Sequence, residues 1–182
     1  MLTGPPPTDY FAIFGIDRNL ALDVDDLQRR FYASSRDWHP DRHARAGAEQ
    51  RKWAEEASAT LNDAWRVLRD PVARAEYVLK AEGFDIGEQR GRDVPPELLE
   101  EVFELNMALE EAREGDAGAK AQVGAALEKF EGMLAAIDAE RDGLFTAYDN
   151  ARSRDTLTQL RALLNRRKYL QNLVRDARAA LA

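Results

Sequence analysis

Apolar residues recur at helical spacing along nearly the whole chain, and a few proline- and glycine-bearing breaks divide that pattern. The sharpest break is His39-Pro40-Asp41. Pro40 cannot continue a helix, and its ring disfavours helical geometry at His39, so the tripeptide is expected to project as a rigid loop between two helices. Asp70-Pro71 is a second break. A third is the segment 85–96, which holds Gly87, Gly91, Pro95 and Pro96 and lacks apolar periodicity. No stretch alternates with the period of a strand, and no repeat is present. The breaks predict an all-α chain with a disordered lead-in over 1–8, a first domain over 9–84, a linker over 85–96 and a second helical domain over 97–182.

Local signals set the expected helices. Thr8 can cap a short helix within Asp9 to Ile16, and Asp23 or a neighbouring aspartate caps the next, which runs to about Trp38. On that second helix Val24, Leu27, Phe31 and Trp38 share one face, while Arg29, Tyr32 and Arg36 lie opposite with Arg30 at the flank. A third helix is predicted over roughly Ala48 to Arg69, with Trp53, Ala57, Leu61, Ala64 and Leu68 as its stripe. A short one follows from Val72 to Ala81, ended by Gly83. The second domain reads as three helices, about Glu97 to Glu114, Ala117 to Asp142 and Ala147 to Leu181. Gly115 separates the first two, the second junction falls around 143–150, and three antiparallel helices would close into a bundle.

Composition narrows the function classes. The 182 residues are 45% hydrophobic and 32% charged, enough for real cores in a helical protein. A formal net charge of −7 argues against broad nucleic-acid binding but leaves room for a local basic patch. With no cysteine, disulfides and thiolate metal sites are excluded, and a reducing cytoplasmic setting is natural. No apolar run reaches the roughly 18–20 residues that span a membrane, and Met1 to Pro7 does not read as a secretory signal.

The polar residues have competing readings. His39 could be a general base oriented by Asp41, but the sequence offers neither a nucleophile beside it nor a substrate pocket. It offers no glycine-rich phosphate loop either. The plain alternative is a turn in which Pro40 stops one helix and Asp41 caps the next. His39 and His43, four apart, would make a metal pair only on one helix face, which Pro40 prevents, so no metal or cofactor is expected. His43 itself reads as a polar residue opening the next segment. Asp138, Glu140 and Asp142 read as a solvated helix end.

The helix from Glu97 carries more apolar surface than a bundle face needs. Leu98, Val102, Leu105, Leu109 and Ala112 form one stripe, while Leu99, Phe103 and Met107 fall on a second arc bordered by Glu100, Glu104, Glu110 and Glu111. In the last helix Tyr169 points away from the stripe of Leu160, Leu164 and Val174. The second arc either meets a partner, packs on the first domain or widens the core.

Three segments in order carry a family resemblance: Asp9-Tyr10-Phe11-Ala12-Ile13-Phe14-Gly15-Ile16, the basic helix ending Trp38-His39-Pro40-Asp41-Arg42, and Leu61-Asn62-Asp63-Ala64-Trp65-Arg66-Val67-Leu68-Arg69-Asp70-Pro71. Together they resemble a J-domain, a helical hairpin whose His-Pro-Asp loop docks on DnaK-type heat-shock chaperones and stimulates their ATPase. The resemblance implies chaperone binding by His39, Pro40 and Asp41 with Arg29, Arg30 and Arg36. Arg42 stands where the family commonly has lysine, and the charge is kept. Glycine/phenylalanine-rich and zinc-binding regions of generic J-proteins are missing. Arg74-Ala75-Glu76-Tyr77-Val78-Leu79, then Gly83-Phe84-Asp85 and a helical domain, resemble instead the HscB family of iron–sulfur co-chaperones. That resemblance implies a non-enzymatic, cytoplasmic adaptor between an HscA- or DnaK-type chaperone and an IscU-type scaffold, with no nucleic-acid or membrane partner. It places scaffold contacts on Leu99, Phe103, Glu104, Met107 and Glu111, with Tyr169 opposite; Glu100, where relatives often present an apolar residue, is left out. The alternative is a J-domain protein serving a general DnaK-type chaperone with another client.

Overall fold

The computed structural model describes residues 4–86 and 96–182, so nearly all of the linker expected over 85–96, and the start of the lead-in, lie outside the described residues. Helix α1 is short, Tyr10–Phe14, and its cap is Asp9 rather than Thr8. The Asp9 carboxylate accepts from the Phe11 and Ala12 amides at 3.0 and 2.9 Å, satisfying donors that the first turn leaves free. Its second oxygen accepts from Tyr77 at 3.1 Å and Arg18 at 2.7 Å, a junction the hydroxyl of Thr8 could not make. Burial disfavours the Asp9 anion, but the Ala12 amide, Arg18 and Tyr77 outweigh it and hold the pKa below its ordinary 3.8. Tyr77 also stacks on Tyr10 with ring centroids 4.5 Å apart.

Asp23 caps α2, Val24–Asp37, as the sequence predicts. A 3-10 turn at Pro40–His43 leads to α3, Ala48–Leu68, and Asp70 caps α4, Pro71–Ala81. The turn sends α3 back along α2, where Phe31 stacks on Trp65 at 5.2 Å. Leu27 of α2 and Ala57, Leu61, Ala64 and Leu68 of α3 are buried with Phe11, Ile13 and Phe14 of α1. Trp53 and Trp38 are only half-buried. Val24, expected on the inner face, is 40% exposed. It sits in the first turn of α2, at the edge of the hairpin rather than over its core. Arg74 is 4% exposed and donates to the Leu68 carbonyl at the end of α3, so a buried cation serves as a helix stop.

The remaining helices are α5, Pro96–Arg113, α6, Ala117–Ala151, and α7, Arg154–Leu181. Gly115, at φ +97°, turns the chain out of α5 with its amide bonded to the Ala112 carbonyl. The second junction departs from the expectation around 143–150. Gly143 lies inside α6, exposed, with open space where a Cβ would stand. An interior glycine costs roughly 0.5–1 kcal/mol relative to alanine. Burying a large apolar side chain stabilises by about 1.5–3 kcal/mol, and Phe145 and Tyr148 are both buried just beyond. Packing therefore carries the helix through. The chain reverses instead at Arg152, the one non-glycine residue with positive φ among those described (51°), its guanidinium 5.2 Å over the Tyr148 ring.

The longer α6 also overturns the solvated helix end expected at Asp138, Glu140 and Asp142. Asp138 sits mid-helix, accepts from Arg141 at 2.6 Å and receives Arg167 of α7 at 2.8 Å, while Asp142 pairs with Arg141 at 2.8 Å. Arg141 is 7% exposed, and its charge is stabilised only because these carboxylates surround it. The hydrogen bond from Arg167 is the main cause holding Asp138 below the ordinary carboxylate pKa. Leu98, Leu105, Phe130, Ile137, Leu163, Leu170 and Val174 are among the residues that fill the bundle core. The chain thus forms two compact units, Met1–Glu82 and Gly83–Ala182. Among the described residues there is no strand, and no helix is long and apolar enough to cross a membrane.

Candidate functional site

The loop after α2 is built by short-range constraints. His39 takes φ −60°, ψ 128°, the extended geometry a following proline enforces, and Pro40 opens the 3-10 turn. The Asp41 amide donates to His39 Nδ1 at 3.3 Å, and the Asp41 carboxylate lies 3.6 Å from the same nitrogen. Both side chains face solvent, His39 57% and Asp41 91% exposed. A general base works on a proton held within about 3 Å; this imidazole is turned outward to water on an open surface. The geometry suits contact with another macromolecule.

Two residues fasten the loop to the end of α2. Arg42 Nη1 donates to the Asp37 carboxylate at 3.0 Å and to the Arg36 carbonyl at 3.4 Å. His43 Nε2 lies 3.0 Å from the Asp37 carbonyl. Helix ends leave such carbonyls without partners, and basic side chains are favoured there. His43 is therefore a brace for the loop, not the incidental polar residue expected from its position. The available signal was its place six residues beyond Asp37, at the end of a helix needing caps.

The cationic face is uneven. Asp26 binds both Arg29 at 3.1 Å and Arg30 at 2.7 Å. Hydrogen bonding from Arg30 is the chief cause of the lowered Asp26 pKa. Arg36 is exposed and has no acidic partner among the described residues. With Tyr32, Ser35, His39 and Arg42 it surrounds a concavity beside the loop. Of the three arginines singled out, Arg36 is the one the structure brings to His39.

In the second unit α5 presents two faces. Leu98, Leu105, Leu109 and Ala112 are buried. Leu99, Phe103 and Met107 are 56, 66 and 50% exposed, so the second arc does not widen the core. Spaced four apart, they make a ridge along the helix. Glu104 and Glu111, both exposed, flank it on the side of α6. Tyr169 differs: it is half-buried against the bundle core on α7, and burial raises its pKa.

Comparison with known proteins matches both units. Residues 9–77 match the DnaJ domain, and residues 94–178 match the HSCB C-terminal oligomerisation domain. The human co-chaperone protein HscB is similar over 97% of this chain and 84% of its own, at 26% identity and a TM-score of 0.69. The chaperone HscB from Vibrio cholerae is similar over 96% of this chain and 99% of its own, again at 26% identity, with a TM-score of 0.59. A DnaJ domain followed by an HscB C-terminal domain, together with these likenesses, makes this chain a J-domain protein of the HscB family.

Proposed function

We propose that the chain is a co-chaperone for iron–sulfur cluster assembly that stimulates the ATPase of a DnaK- or HscA-type chaperone and delivers an IscU-type scaffold to it. In this reading residues 9–84 work on the chaperone and residues 97–182 on the scaffold. His39, Pro40 and Asp41 engage the chaperone, with Arg29, Arg30 and Arg36 steering the encounter with an acidic surface. Leu99, Phe103, Glu104, Met107 and Glu111, with Tyr169, bind the scaffold. The chain itself performs no bond chemistry; it contributes binding energy at two places, while nucleotide chemistry belongs to the chaperone. Its cysteine-free composition suits a cytoplasmic setting.

The observation that carries this reading is Phe103, two-thirds exposed at the centre of an acid-flanked apolar ridge, in a chain that also bears the His-Pro-Asp loop. A side chain of that size left in water in a well-packed bundle marks an interaction surface. The test is steady-state ATP turnover by the chaperone with this protein, with scaffold, and with both. Turnover with both present should exceed the sum of the separate stimulations. Scaffold that neither binds nor adds to stimulation would leave a J-domain protein with a different client.

A further inference from the structure

The α5 and α6 helices do not close fully on each other. Between them runs a groove of about 690 Å³, room for several side chains in a row. Alanines make it: Ala108 and Ala126 floor it beside the buried ring of Phe130, and Ala125 leaves the α6 edge low. Met107 is shared, forming part of the outer ridge and one lip of the groove.

Charge defines what the groove would accept. Lys129, the cation along it, is held by Glu101 at 2.6 Å. Glu104 and Glu111 stand on the α5 edge, exposed, with no ion pair among the described residues. Seven residues apart on one helix, they lie about 10 Å from each other along its axis. A small-residue apolar floor beneath two unneutralised carboxylates is complementary to a basic segment that also carries an apolar side chain.

We propose that this groove receives a lysine- or arginine-bearing segment of the protein client, with an apolar side chain entering over Ala108 and Ala126. The proposal rests on the client-binding reading of the α5 ridge and extends it: the client would straddle α5, covering the ridge with one part and reaching α6 with another. A second copy of this chain is the poorer occupant. Its net charge of −7 and its own glutamate rim repel the same carboxylates.

The test uses the full chain and an IscU-type scaffold, with affinity measured by calorimetry at low and high salt. Ala125→Trp fills the groove and Gln122→Lys adds a positive charge to its α6 edge; both positions are exposed, so melting temperatures should hold. Ala125→Trp should weaken binding tenfold or more. Gln122→Lys should weaken it several-fold, with the larger loss at low salt. Wild-type affinity in both variants, alongside weakened binding by Phe103→Ala, would overturn the groove and leave the ridge standing. Unchanged binding by Phe103→Ala as well would remove the ridge reading itself. If the free chain sediments as a dimer that Ala125→Trp dissociates, the occupant is a second copy and the proposal fails.

Discussion

The two candidate surfaces are built in opposite ways. The loop at His39–Asp41 is polar, and its shape depends on one proline and a few hydrogen bonds reaching back to Asp37. The ridge on α5 is apolar and continuous, laid along an unbroken helix whose other face is buried. A braced turn concentrates recognition in single residues, because each holds a position no neighbour can supply. A ridge spreads it over area, with a central large side chain dominating and flanking contacts excluding water.

Crossed substitutions test that contrast most directly. His39→Gln should reduce ATPase stimulation to the chaperone's own basal rate while scaffold affinity, read by calorimetry, stays at the wild-type value. Phe103→Ala should do the reverse, costing about 2 kcal/mol of scaffold affinity, or about 30-fold. If each variant impaired both readouts, the separation of roles would be lost. Next in size is a purely structural effect confined to the second unit. Asp138→Ala removes the carboxylate that Arg167 pairs with and one of the two that hold Arg141, leaving Asp142, and should lower stability by about 1–2 kcal/mol in urea unfolding, allowing for solvent screening of a carboxylate 35% exposed. Because the folded-state pKa of Asp138 is depressed, its stabilisation is present above the ordinary carboxylate value of 3.8 and is lost as pH falls through the lower folded value. Asp138→Asn should therefore flatten the acid limb of the stability profile.

Smaller effects probe the unevenness of the basic face. Arg36→Ala should weaken chaperone association several-fold at low salt, and Arg29→Ala less, since Asp26 already holds Arg29. Equal losses, measured by surface plasmon resonance across a salt series, would show that the internal pairing does not matter. The smallest expected change is a gain. Gly143→Ala fills open space on α6 and should stabilise the second unit by about 0.5–1 kcal/mol, seen as a raised melting temperature.

Much of this fold was legible because several helix ends carry strong local signals. Asp23, Asp70-Pro71 and Gly115 each mark an end where a cap or an impossible donor decides the boundary. The α6–α7 junction was not legible, since the left-handed position is taken by an arginine, Arg152, rather than a glycine or asparagine, whereas Gly143 looks like a break and is not. Asp9 displaced Thr8 through contacts with Arg18 and Tyr77, and Tyr77 is 68 residues away in sequence. The same division holds for the sites. Periodicity alone exposes Leu99, Phe103 and Met107. The roles of Arg42 and His43 appear only once the chain has folded back onto α2, and the burial of Tyr169 depends on core packing that no single helix wheel contains.

The glutamates beside the ridge carry a consequence for the protein when it is alone. An uncovered run of leucine, phenylalanine and methionine is a hazard in a concentrated solution, where like surfaces meet often. Two copies approaching ridge to ridge would bring Glu104 and Glu111 near their own counterparts, and the like charges oppose the contact. The same side chains that would welcome a basic client thus also work against adhesion of one bare ridge to another.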